Sequence, residues 1–98
     1  MNLETLQKAN ALKDIENFTN ISLRDFKREL DLCEKIMSQG SGYNYVSKNE
    51  IGQEYKELLI QKAHIAIPLT EEVLNFLKTQ VAVYEDKLKQ TEEKFNQL

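Results

Sequence analysis

Apolar residues recur three apart along the first eighteen positions, at Leu3, Leu6, Ala9, Leu12, Ile15 and Phe18. That spacing predicts a helix over about 3–18 with a stripe that drifts around its axis. The stretch FTNIS interrupts the pattern. Ser22 then opens a second helix as N-cap, with Asp25 three residues on and Ile21 and Phe26 at hydrophobic-staple spacing. Leu23, Phe26, Leu30, Cys33 and Met37 alternate spacings of three and four, which is one helix face, and Gly40 supplies a stop. A second helix is expected over about 22–39.

The strongest pattern is the last. Pro68 biases Ile67 to an extended backbone, Thr70 caps, and Glu71 and Glu72 place negative charge where a helix dipole favours it. Leu69 and Leu74 again have staple spacing. Leu74, Val81, Leu88 and Phe95 share one heptad position, and Leu77, Tyr84, Thr91 and Leu98 share another. Val73, Phe76 and Val83 widen the stripe in its first half. A long amphipathic helix is therefore expected over about 70–97, its first half embedded in a core and its remainder forming a narrower seam. Glu85 and Lys89 have the i,i+4 order of a solvent-side pair.

The middle supports two readings. Ala63, Ile65 and Ile67 alternate before a proline, as a strand does, and GYNYV offers an antiparallel partner. This predicts a short two-stranded element, about 43–46 and 62–67. Alternatively Ser47 and Glu50 form a capping box for a helix at about 48–61, with Ile51, Tyr55, Leu58 and Leu59 on one face. The expected fold class is α+β and mainly helical, in one domain over 1–98, with an all-α arrangement as the alternative.

These lengths carry a consequence. The last helix spans about 42 Å and the second about 27 Å at the standard rise, so one neighbour leaves the distal stripe uncovered. The reading assigns Tyr84, Leu88, Thr91, Phe95 and Leu98 to a seam between copies of the chain.

Composition narrows the function classes. The 98 residues are 41% hydrophobic and 30% charged, with a formal charge of -3 and both signs spread along the chain. That suits a folded soluble domain and offers no basic block for a nucleic-acid backbone. Cys33 is the single cysteine, so no internal disulfide and no thiolate zinc cluster can form. The first residues lack the apolar core of a signal peptide and no run approaches a membrane span, so a cytoplasmic protein is expected. The sequons NFT and NIS carry no weight there.

Candidate chemistry is sparse. QGSG resembles a phosphate-cradling loop, but it follows a helix, where carbonyls and partial negative charge lie, and it lacks the Gly-Lys-Ser/Thr ending. Tyr43 and Tyr45 would share one strand face, either closing the core or offering a stacking platform. His64, the single histidine, has no evident metal partner and would face away from Ile65 and Ile67. Cys33 sits in an apolar face, where a small buried thiol is ordinary. Arg24, Lys27 and Arg28 form the densest basic cluster, interleaved with Asp25, Glu29 and Asp31.

The resulting expectation is a non-enzymatic, homo-oligomeric interaction protein with no cofactor and no metal, acting on another macromolecule, with a protein target favoured over nucleic acid. Asn and Lys usage suits a bacterial, phage or mobile-element accessory or inhibitor protein. The runner-up is a binder of a nucleotide-type ligand, with Tyr43, Tyr45, Lys48, Lys62 and His64 lining a pocket between subunits. A Cys33- or His64-dependent enzyme is the third class.

Overall fold

A computed structural model describes residues 2–39, 47–48, 50–51 and 54–98. The chain runs as helix α1 (Leu3–Gln39), strands β1 (Ser47–Lys48), β2 (Glu54–Ile60) and β3 (Ala63–Pro68), and helix α2 (Glu71–Asn96). It is a slender body, 60 × 20 × 17 Å, built as a helical hairpin with a small antiparallel sheet laid along part of its length. The mainly helical α+β expectation holds at that level.

The amino-terminal half differs. One continuous helix of 37 residues replaces the two expected over 3–18 and 22–39. Asn2 starts it, its side-chain oxygen accepting from the Thr5 amide at 2.8 Å. At the expected break, Thr19 and Ser22 are buried, and the Ser22 hydroxyl accepts from the Gln61 side-chain amide rather than capping a new helix. The local preference of Thr, Asn and Ser for turns is a few tenths of a kcal/mol per residue, and packing overrides it.

The carboxy-terminal helix matches its prediction within a residue at each end. Thr70 caps it, accepting from the Val73 amide at 3.2 Å. Leu69 and Leu74, at staple spacing, both pack against the core. Glu85 and Lys89 are both exposed, as the i,i+4 reading expects, and Glu85 pairs across to Lys27 of α1 at 3.2 Å.

The sheet order is β1-β2-β3. β3 falls where a strand over 62–67 is expected, and it pairs with β2; residues 43–46, the expected partner, lie outside the described residues. The register runs from Tyr55 opposite Pro68 to Ile60 opposite Ala63. A strand at 54–60 also replaces the alternative helix at 48–61, and Ser47, expected to open that helix, pairs with Tyr55 in β1. Contacts from β2 to both β3 and α1 outweigh the isolated helical pattern, which is why periodicity alone misread this segment. Gln61 and Lys62 make the two-residue turn, with φ of 50° and 67°. Both are left-handed, as a type I′ hairpin requires, although neither residue is glycine.

The core lies where sheet and hairpin meet. Cys33, Leu58, Ile60 and Leu77 form its buried centre, with Phe26, Leu30, Ile67, Leu69, Val73 and Leu74 packed against it. Away from the sheet, the two helices cover each other. Phe26 stacks on Tyr84, Thr19 and Thr91 are buried, and Leu88 and Phe95 are half-buried. The length comparison made from sequence is thereby reversed. α1 spans about 55 Å and α2 about 39 Å at the standard rise, so α1 has the length to run beside α2 throughout. Tyr84 meets its aromatic neighbour within the same chain, and Leu98 alone of the five expected seam residues is exposed.

Candidate functional site

The hairpin turn is where the polar chemistry gathers. Asp25 of α1 is buried and accepts from the Gln61 backbone amide at 3.0 Å, from Arg24 Nε at 3.1 Å and from Arg28 at 3.2 Å. Burial alone would raise the pKa of its carboxyl, but the Gln61 amide and the two guanidinium groups outweigh it and hold the value below the ordinary 3.8. Arg28 also donates to the Leu59 carbonyl at 2.7 Å. Gln61 donates from its side chain to the Phe18 carbonyl at 3.2 Å and to Ser22 at 2.9 Å. Three groups on α1 thus bind the turn from below and from the side.

A second polar group lies deeper. Lys56, on the inner face of β2, forms a buried ion pair with Glu29 of α1, and its ammonium also donates to the Glu57 carbonyl at 3.2 Å. Cys33 is buried in the core; burial and the Glu29 charge push its thiol pKa up against the opposing pull of Lys56. A thiol so protonated and enclosed is a poor nucleophile.

Above the network, Ile21, Arg24, Asp25, Arg28, Leu59, Gln61, Lys62 and His64 line an open cleft of about 560 Å³. The sequence-predicted pair Lys62 and His64 therefore does come together, and it does so with Arg24 and Arg28. In the sequence those arginines stand only within a mixed-charge cluster on a helix. His64 is exposed, 3.9 Å from Glu57 on the outer face of the sheet, turned away from Ile65 and Ile67 as strand alternation requires. Tyr43 and Tyr45 lie outside the described residues, and Lys48 lies in β1 opposite Glu54. Among the described residues no three His, Cys, Asp or Glu side chains converge as a metal site needs.

The apolar surface is more extensive. Phe76 and Val83 were expected inside the core, yet they are 55% and 50% exposed. They lie one helical turn and more along from Val73, which packs against the core cluster, on a flank of α2 about 100–120° round the axis from the buried Leu77. Ile65, on the inner face of β3, is 46% exposed. On α1, Ile15 and Phe18 are likewise exposed, just past the hairpin turn that bonds to the Phe18 carbonyl. Periodicity does not separate these positions from covered ones, because coverage depends on which elements pack against each flank.

The sheet's two edges differ in kind. On the β1 side, β2 is paired at Tyr55 and Glu54, and Arg28 occupies the Leu59 carbonyl. On the other side, β3 has β2 as its one strand neighbour among the described residues. The tight turn makes Ile60 and Ala63 a hydrogen-bonded pair, and the pattern alternates from there. Ala63, Ile65 and Ile67 thus bond inward to β2, while the backbone groups of His64, Ala66 and Pro68 point away from it.

No protein-family model matches the chain, and neither the curated proteins nor the solved structures contain a match. Among the described residues no helix is long and apolar enough to cross a membrane.

Proposed function

We propose that the chain is a small non-enzymatic interaction protein that assembles with itself and binds another macromolecule through the apolar surface its fold leaves open. One observation carries this reading. Phe18, Phe76, Val83 and Ile65 stand about half exposed, while Asp25, Glu29, Lys56 and Cys33 are held inside by pairing or packing that leaves them no free chemistry. Exposed aromatic and aliphatic groups on a body this narrow suit recognition by contact. A bacterial or phage accessory or inhibitor role is the biological setting that the Asn- and Lys-rich composition favours.

Photo-crosslinking tests it. A crosslinking residue at position 76 or 18, in cells making the protein, should yield a discrete adduct that is absent from position 89 on the solvated side of α2. Equal labelling from all three positions, or none, refutes the reading.

The cleft supports a second reading, an anionic small ligand such as a nucleotide, since Arg24, Arg28, Lys62 and His64 all border it. Against it, both guanidinium groups are already committed to Asp25. A ligand at a hundred times its dissociation constant would stabilise the fold by about 2.7 kcal/mol, so a thermal-shift panel of nucleotides decides between the two.

A further inference from the structure

The outer edge of β3, which no other strand pairs among the described residues, is built in a way that fits a second copy of the same strand. Exposed strand edges invite pairing, and soluble proteins ordinarily blunt them with lysine, a bulge or a covering element. β3 reads Ala-His-Ile-Ala-Ile-Pro, with no lysine, no acid and no bulge in its register. Pro68 stands at an outward position, where its missing N–H costs the β2 ladder nothing. What remains facing outward is the N–H and C=O of both His64 and Ala66.

We propose that two copies of this chain pair through β3, antiparallel, about a two-fold axis at Ile65. The inference rests on the self-assembly part of the reading above. In that register His64 lies opposite Ala66 of the other copy, and the reverse. Each pair exchanges both its N–H···O=C bonds, so no outward donor between Lys62 and Pro68 is left over. The isologous arrangement needs a surface that complements itself, and this edge does. Its strand carries no formal charge with His64 neutral, so identical edges meet without the repulsion that a lysine or glutamate would impose. Ile65 falls on the axis as a non-hydrogen-bonded pair, the closest cross-strand approach, with its exposed inner-face side chain against its own mate. The outward edge is short, which favours a partner strand of matching length over a long extended peptide.

Substitution at Ala66 separates the edge from the fold. Its N–H points away from β2, so Ala66→Pro removes an edge donor and leaves the β2 ladder whole. Sedimentation equilibrium of the full chain, from roughly 1 to 200 μM, should show a monomer–dimer equilibrium whose dissociation constant rises at least about tenfold in Ala66→Pro. Circular dichroism checks that the variant is folded. Should it not fold, Ile65→Cys in a Cys33→Ser background reads the register directly. Cα atoms about 4.5 Å apart on the axis permit a disulfide, so mild oxidation should give a covalent dimer from position 65 and none from position 67. A dimer indifferent to Ala66→Pro, or crosslinked equally from 67, overturns the edge while leaving self-assembly standing. A monomer at every concentration overturns both, and leaves binding to another macromolecule to the photo-crosslinking.

Discussion

The ring of Phe26 on α1 lies over that of Tyr84 on α2, centroids 5.5 Å apart and planes 21° from parallel. One residue along each helix, Lys27 and Glu85 meet at 3.2 Å. Together these contacts fix the sliding register of the hairpin, and they do so with unequal strength. Tyr84→Ala should cost about 2–4 kcal/mol, in the range of large aromatic truncations. Removing the exposed Lys27–Glu85 pair should cost no more than about 1 kcal/mol. Urea unfolding of the two variants checks the ratio.

Glu29 and Lys56 are a buried pair, so removing one partner leaves a charge stranded. Glu29→Gln alone should destabilise by about 3–5 kcal/mol, while Glu29→Leu combined with Lys56→Met should recover most of that loss. A double-mutant cycle by denaturant unfolding measures it. A single variant with a small effect would mean that water reaches the pair.

Thr19 presents the opposite case. Its hydroxyl is fully buried, with no hydrogen-bond partner among the described residues. Thr19→Val keeps the shape and removes the unsatisfied group, so it should stabilise by about 1 kcal/mol. A rise in the urea midpoint at unchanged slope is the expected result.

The turn residues Gln61 and Lys62 occupy a backbone region that favours glycine. Lys62→Gly should stabilise by about 0.5–1 kcal/mol. Gln61→Gly should give no such benefit, because it also removes the bonds to Phe18 and Ser22. Thermal unfolding of the two variants in parallel distinguishes strain from contact.

Asp25 sets an acid limit. Folding lowers its pKa below the ordinary 3.8, so the ionised carboxylate favours the folded chain. That contribution is complete above the ordinary value and is lost as pH falls from there through the lower, folded value. Asp25→Asn should therefore be less stable than the parent at neutral pH. The gap should close as both are acidified past the ordinary value, as urea midpoints along a pH series would record.

Elements whose signals are local are legible in the residues alone. Thr70 and the acidic first turn locate the start of α2, and the heptad positions from Leu77 to Thr91 locate its covered face. Alternation up to Pro68 marks β3, and the three-four spacing around Cys33 marks a buried helix face. In each case the residues that carry the signal lie within a turn or two of one another.

The remaining features depend on residues far apart in the chain. Helix α1 continues through FTNIS because Gln61, 39 residues away, takes up the Ser22 hydroxyl. β2 is a strand because β3 and α1 both pair with it. Lys62 and His64 were legible as neighbours on a hairpin, yet Arg24, Arg28 and Asp25 join them only once that hairpin docks on α1. Phe76 and Val83 lie on the flank that widens the stripe, and periodicity alone does not say whether that flank is covered. Burial is set by which elements pack on each flank, which depends on long-range contacts, whereas a helix face is set by spacing along the chain.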